Sequence, residues 1–260
     1  MSLIDDSLTD DAFLGGTLAI LQPAKGYRAG LDAVLLAAAT PVLAGQRARV
    51  LDAGAGVGVV GLAIAARVAD ANVTLVELEP EAAELARRNI ARNSLDTRVC
   101  VVVADVASGG AVLHDPASDH GLRPAQFDHV VSNPPFYTTG AGTPPSTRGK
   151  AASHQMARNS LDGWMAFLAT AAVASGTLTL IHRADALAQV LDAIGTRFGR
   201  IRILPVHSHS GQTAGRILVS AIKGSRAPLE LLPGLVLHGP DGQYLPEIDT
   251  ILRHGAPLPL

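Results

Sequence analysis

The chain has 260 residues, of which 48% are hydrophobic and 17% are charged. This length and composition are enough for one large α/β domain with a well-buried core, and a second full domain is not expected. The net charge of −2 excludes a strongly basic surface of the kind that binds nucleic acid without specificity, so any nucleic-acid site must be local.

Cysteine content and apolar patterning bear on the compartment. Cys100 is the only cysteine, so the chain cannot form an internal disulfide. It lies in the apolar run RVCVVVAD, which predicts a buried core thiol in a reducing compartment. No charged-then-apolar leader opens the chain, and the longest apolar runs are too short to cross a membrane. We therefore expect a soluble, cytoplasmic protein with no membrane partner.

Strand and helix patterns alternate along the chain, with turn residues between them. This alternation predicts a mostly parallel sheet that is covered by helices on both faces. Seven core strands are expected, and the last two form a closing antiparallel hairpin. The predicted strands are 49–52, 73–77, 98–104, 127–132, 176–182, 200–206 and 215–222. The predicted helices cover 58–69, 80–93, 160–174 and 184–195.

The first core strand runs into a glycine-rich turn, VLDAGAGVGVVG at residues 50–61. Gly54, Gly56 and Gly58 would let a ligand approach the backbone closely. The helix that follows begins with unpaired N–H groups. Glu77 ends the next strand, where its carboxylate could accept hydrogen bonds from a ribose diol.

By itself this segment is also compatible with a dinucleotide site. The stretch 56–61 fits the GxGxxG pattern, and Glu77 lies at the spacing at which that pattern expects its ribose-binding acid. A nicotinamide-dependent oxidoreductase is therefore an alternative. Asp52 at the strand end favours another ligand, because a carboxylate repels a pyrophosphate but tolerates a sulfonium cofactor with an amino-acid head group. S-adenosylmethionine fits better, with Asp105, after the third strand, near its adenine amine.

The fourth core strand runs into Asn133-Pro134-Pro135-Phe136. The prolines fix the backbone φ and remove two N–H donors, so the amide oxygen of Asn133 and the carbonyl of Pro134 can both accept hydrogen bonds from one ligand. An exocyclic amine or a carboxamide donates both of its hydrogens to such a pair, while Phe136 offers a flat face for stacking. We predict that these four residues form the catalytic site of an amino-group methyltransferase.

With the glycine turn and the NPPF turn in this order, the chain resembles the class I S-adenosylmethionine-dependent methyltransferases that methylate exocyclic amines. It is further similar to the bacterial tRNA adenine-N6 methyltransferases, of which the best known acts on valine tRNA. The similar segments are FLGGTLAILQPAKGYRAGLDAVLLAA at 13–38, VELEPEAAELARRNIARN at 76–93, SNPPFY at 132–137 and LVLHGPDGQYLPEI at 235–248. The resemblance implies a Rossmann-like fold, S-adenosylmethionine as the cofactor and a structured RNA, such as tRNA, as the partner.

The resemblance also implies an organisation of the chain and a set of cofactor contacts. Residues 1–45 would form a cofactor-covering segment, 46–225 the methyltransferase domain, and 226–260 an extension packed on the same domain. The implied cofactor-binding residues are Tyr27, Arg28 and Asp32 in the covering segment, Asp52, Gly54, Gly56 and Gly58 in the loop, Glu77 at the ribose, and Asp105 at the adenine.

Several alternatives stay open from the residues. Tyr137, Arg148, Lys150 and Arg158 follow the NPPF turn and are compatible with RNA contacts or with a solvated loop. No third ligand accompanies the alternating histidines at 207 and 209, so we predict no metal. A protein glutamine or a small molecule could replace RNA as the substrate, and outside the methyltransferases stand an oxidoreductase and a non-catalytic cofactor-binding module. The oligomeric state is left open.

Overall fold

The computed structural model describes residues 7–26, 28–114, 121–135 and 161–260. Within these ranges the strands are β1 (Leu8–Phe13), β2 (Leu18–Pro23), β3 (Arg49–Ala53), β4 (Asn72–Glu77), β5 (Val99–Val103), β6 (Phe127–Ser132), β7 (Ala172–Arg183), β8 (Phe198–His209), β9 (Arg216–Lys223), β10 (Glu230–Leu231) and β11 (Leu235–His238). The helices are α1 (Leu31–Ala39), α2 (Val59–Arg67), α3 (Pro80–Arg92), α4 (161–171), α5 (Leu187–Ile194) and α6 (Pro246–His254).

One nine-stranded sheet forms the centre of the molecule. Its strand order is β10-β8-β9-β7-β6-β3-β4-β5, and β11 also pairs with β8. The strands from β3 to β7 pair in parallel, whereas β9 is antiparallel to both of its neighbours. Helices α1, α2 and α6 cover one face of the sheet with apolar side chains, and α4 and α5 cover the other. The predicted α/β architecture with a mostly parallel sheet and a closing hairpin is confirmed.

Each of the seven predicted core strands is present, with ends that differ from the prediction by up to four residues. The largest difference lies at the boundary between α4 and β7. The predicted helix at 160–174 ends at residue 171, and β7 begins at Ala172 because this residue already pairs with Phe127 of β6. The register between β6 and β7 then shifts before His129, so the first residues of β7 lack a regular strand pattern. Long-range pairing therefore overrides the local helix signal.

One residue prediction is wrong. Cys100 is exposed, although its apolar neighbours predicted a buried thiol. The reason is the position of β5, which is the last strand of the sheet among the described residues. Cys100 pairs with Thr74 of β4, whose hydroxyl oxygen Oγ1 lies 3.6 Å from the Cys100 sulfur.

The chain passes from β3 to β4 and β5 on one side, and β6 and β7 then continue on the other side of β3. The carboxyl ends of β3 and β6 are therefore adjacent at the point where the direction of winding reverses. In open α/β sheets the crevice outside such a switch point is where ligands bind. The two informative motifs of the sequence, the glycine turn after β3 and the Asn-Pro-Pro turn after β6, begin at this crevice.

The first two strands form a separate antiparallel hairpin that α3 holds in place. Asn89 Oδ1 accepts from Leu21 N at 2.8 Å, and Asn89 Nδ2 donates to Leu21 O at 3.0 Å. One helical turn later, Asn93 makes the same pair of bonds with Ala19. The two amides thus bond β2 as a neighbouring strand would. Asn89 is fully buried and also donates to Val57 O in the glycine turn, at 3.0 Å, so it links the hairpin to that turn.

We expect Asn89→Ala to lower the free energy of unfolding by about 2–4 kcal/mol, because it leaves three buried backbone groups without their partner. Asn93→Ala is the matched control, since it removes the two hairpin bonds and one bond to Asn89 O within the helix, from a half-buried position, and leaves the glycine turn untouched. It should cost about 1–2 kcal/mol. Urea unfolding of both variants measures the difference. Equal losses in the two variants would contradict a special role for the bond to Val57.

Candidate active site

The glycine turn is fastened to the neighbouring strand. Gly54 N and Ala55 N both donate to Val76 O of β4, at 2.8 and 3.0 Å. Gly54 has a φ of +71°, and a Cβ at this position would lie 2.7 Å from the indole ring of Trp164 on α4. Only glycine therefore permits both the backbone conformation and the packing of the indole against the turn.

Asp52 lies beneath the glycine turn, 1% exposed, and its Oδ2 accepts from Gly61 N in the first turn of α2 at 3.0 Å. Burial raises the pKa of Asp52 to about 7, the hydrogen bond from Gly61 opposes this shift, and the nearby charge of Glu77 adds to it. The Asp52 side chain thus faces α2 and holds the start of that helix. From the sequence we expect the Asp52 carboxylate to repel a pyrophosphate. Because this carboxyl is buried, it cannot serve to distinguish a dinucleotide from S-adenosylmethionine in this way.

Glu77 ends β4 with its carboxylate turned toward the glycine turn. Its Oε2 accepts from Gly56 N at 2.7 Å, and its Oε1 accepts from Leu78 N and Glu79 N at 2.8 and 2.9 Å. A carboxylate offers about four acceptor positions, so one on Oε2 remains for a ligand. The side chain is therefore both oriented by the backbone and able to accept a further hydrogen bond.

Asp105 follows β5 and lies at the same edge of the sheet. Its Oδ1 accepts from Ala107 N at 2.9 Å and its Oδ2 from the hydroxyl of Ser108 at 2.6 Å. These local bonds fix the carboxylate at the start of a 3-10 segment and leave each oxygen one further acceptor position. Asp52, Glu77 and Asp105 thus follow the order of the three adjacent strands β3, β4 and β5.

The end of β6 is tied to the end of β3 by a buried serine. Ser132 Oγ donates to Ala53 O at 2.8 Å and accepts from Trp164 Nε1, also at 2.8 Å. Ser132 is fully buried and Trp164 is 8% exposed, so these bonds are shielded from water. The indole therefore contacts both turns, packing on Gly54 and bonding the residue that precedes Asn133.

The Asn-Pro-Pro turn leaves β6 directly after this serine. Asn133 is half-buried, Pro134 is buried and Pro135 is exposed. The remaining predicted residues after this point, namely Phe136, Tyr137, Arg148, Lys150 and Arg158, lie outside the described residues, as does Tyr27. The structure thus brings the first part of the predicted clamp to the glycine turn and leaves the stacking residue a prediction.

Two of the three cofactor contacts predicted in the covering segment, Arg28 and Asp32, are described, and both make ion pairs. Arg28 bonds Asp11 of β1 at 2.6 Å. Asp32, in the first turn of α1, pairs with Arg216 of β9 at 2.8 Å. These pairs hold the N-terminal segment to itself and to the sheet. A contact of Arg28 or Asp32 with a cofactor stays a prediction.

No sequence pattern marks Trp164, Ser132 or Asn89 as part of the site. The only available signal for Trp164 was its being the sole tryptophan of the chain. Ser132 and Asn89 act through partners 79 and 68 residues away, which no local pattern reveals. Among the described residues, no group of three or more histidines, cysteines or acids could hold a metal ion. None of the described helices has the length and apolarity that crossing a membrane requires.

The sheet order, the glycine turn after β3 and the Asn-Pro-Pro turn after β6 define the Rossmann-like fold of class I S-adenosylmethionine-dependent methyltransferases. Residues 32–148 match the family model described as methyltransferase small domain. The crystal structure of a predicted O-methyltransferase from Agrobacterium tumefaciens superposes with a TM-score of 0.71 and 32% identity, covering 88% of this chain and 99% of that one. The chain therefore belongs to the same family of methyltransferases as the Agrobacterium protein.

Among curated relatives, two tRNA1(Val) (adenine(37)-N6)-methyltransferases are similar to this chain. The protein from Porphyromonas gingivalis is 28% identical over 238 residues, which is 87% of each chain. The protein from Bacteroides fragilis is 36% identical over 124 residues, so that match covers 48% of this chain and about half, 47%, of the relative.

The raised pKa of Asp52 predicts a pH-dependent stability. Its folded-state pKa is about 7 against an ordinary value of 3.8, so the unfolded chain releases this proton first as the pH rises. The stability contributed by the neutral carboxyl is therefore lost between about pH 4 and about pH 7. Asp52→Asn cannot ionise, so its Tm relative to wild type should rise across this window.

Thermal unfolding at a series of pH values measures this difference. Asp70→Asn changes the charge by the same amount at an exposed position and is the control. A constant Tm difference between Asp52→Asn and wild type over the whole window would contradict the raised pKa.

Proposed function

We propose that this protein transfers a methyl group from S-adenosylmethionine to the N6 amine of an adenine in tRNA, in the cytoplasm. One observation carries the proposal. The Ser132 hydroxyl fixes the start of the Asn-Pro-Pro turn to the carbonyl of Ala53, directly before the glycine turn. Acceptors for a target amine are thereby held beside the loop assigned to the cofactor.

The residues of the crevice fit S-adenosylmethionine. Gly56 has a φ of +56°, and a Cβ at this position would meet no atom within 4 Å, so the backbone faces open space that a ligand can enter. Glu77 and Asp105 offer the carboxylate acceptors that a ribose diol and an adenine amine require. When bound, the cofactor supplies an electrophilic methyl group on a sulfonium. The buried Asp52 supports the loop through its bond to Gly61.

The Asn-Pro-Pro turn activates the target amine by orienting it. The lone pair of an adenine amine is delocalised into the ring, which makes the nitrogen a poor nucleophile. The lone pair becomes available only when both N–H bonds are held out of conjugation with the ring. Asn133 Oδ1 and Pro134 O accept these hydrogens. As positive charge develops on the nitrogen, the same two oxygens stabilise it. One of the two hydrogens then leaves as a proton to water, so the product is the neutral N6-methylamine. Positioning of the two reactants supplies much of the remaining acceleration, and no covalent nucleophile takes part.

The names of the similar proteins differ on whether oxygen or nitrogen receives the methyl group. The hydrogen-bond acceptors of the turn favour nitrogen. The Agrobacterium structure is described as a predicted O-methyltransferase, whereas the curated relatives are adenine-N6 methyltransferases. A hydroxyl has one hydrogen to donate and would leave one of the two acceptors unused. An amine uses both. A protein glutamine shares this donor pattern, and methylation assays with RNA and with protein as acceptor distinguish the two substrates.

The RNA part of the proposal rests on the relatives and on the residues after the turn. The Porphyromonas relative, named for valine tRNA, is similar over 87% of both chains. Phe136 is assigned to stack on the target base, and Arg148, Lys150 and Arg158 to contact backbone phosphates. A net charge of −2 then requires that this basic segment provide a local electrostatic contact.

Asn133→Ala tests the clamp. It removes one of the two acceptors for the target amine and should lower kcat by about 10²–10³, since one lost transition-state hydrogen bond typically costs this much. The affinity for S-adenosylhomocysteine should change by less than about twofold, because Asn133 is not assigned to the cofactor. Single-turnover methylation of a valine tRNA transcript and calorimetry measure the two quantities. Turnover at the wild-type rate would remove Asn133 from the catalytic site.

Glu77→Gln tests the cofactor site. Loss of the charge-assisted hydrogen bond to a ribose hydroxyl should weaken binding of S-adenosylhomocysteine by about 10- to 100-fold. The control is Glu79→Gln, which makes the same change two residues away at an exposed position. Calorimetry with S-adenosylhomocysteine and with NAD decides between the cofactors. Micromolar binding of NAD without a response to S-adenosylhomocysteine would overturn the proposed function in favour of an oxidoreductase.

A further inference from the structure

Three aromatic side chains form a continuous stack at the carboxyl end of β8. The rings of His209 and His238 have centroids 5.2 Å apart with 25° between their planes. The rings of His238 and Tyr244 are 4.6 Å apart with 24° between their planes. His209 and His238 are partners in the parallel pairing of β8 with β11, so the sheet itself sets their spacing. Tyr244 ends the stack and is 41% exposed.

The backbone around Tyr244 holds its ring in this position. A tight turn after β11 closes with bonds from Gly239 N to Gln243 O and from Leu245 N to Leu237 O, both 2.9 Å. Tyr244 thereby pairs with His238 as an isolated antiparallel bridge. The His238 ring is fixed in turn by a contact of 2.9 Å between its Nδ1 and Ser208 O. The Tyr244 ring is therefore already ordered, and a ligand that stacks on it would lose little binding free energy to immobilising the side chain.

The stack lies on the same side of the sheet as the candidate active site, namely at the carboxyl ends of the parallel strands, but further along the strand direction. Strand β8 runs in the same direction as β6, because two antiparallel pairings separate them. Through these pairings Ser132 lies level with Ile203 of β8. His209 follows six residues later, about 20 Å further along the strand direction and about three strand spacings, or 14 Å, to the side. The stack is thus too far from the Asn-Pro-Pro turn to contact the target base, although both lie at the carboxyl ends of the strands.

We propose that the exposed face of Tyr244 binds an unpaired nucleobase of the RNA substrate, a base other than the one that is methylated. This proposal rests on the proposed function and deepens it. Aromatic rings bind the faces of unstacked bases in single-stranded loops, and such stacking tolerates every base. Tyr244 lies two ring spacings beyond His209, so it is about 30 Å from the Asn-Pro-Pro turn. A substrate that extends this far from the methylated base can reach both sites, whereas a small molecule cannot.

The surroundings of Tyr244 favour a base over other occupants. Its exposed neighbours in the sequence are the polar or acidic Asp241, Gln243 and Glu247 and two prolines at 240 and 246, so polar and charged groups interrupt the apolar centre that a contact with a second protein requires. The two acids disfavour a phosphate at this position. The contact is therefore with the face of a base, and the salt-dependent phosphate contacts lie elsewhere.

Tyr244→Ala tests the proposal. It should raise the KM for an unmodified valine tRNA transcript, and the Kd measured with S-adenosylhomocysteine present, by at least about fivefold, with kcat at saturating RNA unchanged. Tyr244→Phe keeps the stacking face and should stay within about twofold of wild type. Leu231→Ala, which removes an exposed apolar side chain opposite Ile203, is the matched control and should have no effect. Cofactor affinity and Tm of each variant show whether it is folded.

Two further readouts separate stacking from a structural role. The slope of log Kd against log salt should be the same for Tyr244→Ala and wild type, because no phosphate contact is lost. A stem-loop RNA with 2-aminopurine in its loop should show fluorescence quenching with wild type and with Tyr244→Phe, and not with Tyr244→Ala. If Tyr244→Ala binds and quenches like wild type while wild type methylates RNA, this inference is wrong and the proposed function stands. If wild type neither binds nor methylates RNA, the proposed function itself has failed.

Discussion

The candidate site depends on the contact between the carboxyl ends of β3 and β6. These strands are neighbours only because the winding of the chain reverses between them, and the buried hydroxyl of Ser132 joins them at 2.8 Å from Ala53 O. Trp164 donates to the same hydroxyl and packs on Gly54, so one side chain of α4 sets the spacing of both turns. Methyl transfer requires reacting atoms in line at a short distance, and this contact is what can hold the two motifs in register.

The glycine turn is supported from three directions by side chains that leave its outer surface free. Asp52 bonds the start of α2 from below, Asn89 bonds Val57 from α3, and Glu77 bonds Gly56 from β4. Since Asn89 also bonds β2, the N-terminal hairpin and the turn share one buried amide. A shift of the hairpin is thereby coupled to the loop assigned to the cofactor. The rigidity of the turn follows from these hydrogen bonds, although its glycines would permit many other conformations.

Much of the fold was predictable, because strands buried on both faces leave a strong apolar pattern and turn residues separate them. The strand at Phe127–Ser132 and the start of α3 at Pro80 were predicted at the residue. The hairpin β1–β2 and the short strands β10 and β11 were not. The hairpin pairs locally but is held in place by side chains of α3 that lie 68 and 74 residues away, and β10 and β11 pair with β8, which is distant in sequence. The motifs indicated the two turns that meet at the crevice, but the burial of Asp52, the exposure of Cys100 and the bonds of Trp164 follow from tertiary packing alone.

The central claim is that two oxygens on the turn after β6 orient the N6 amine of an adenine in tRNA as the methyl acceptor. Its most direct test is to incubate the purified protein with unmodified valine tRNA and S-adenosylmethionine that carries a deuterated methyl group, and then to analyse the nucleosides by mass spectrometry. The account predicts labelled N6-methyladenosine, with the label confined to one adenine of the tRNA. Label on a ribose or base oxygen, or label found only in protein glutamine when protein is offered, would contradict it.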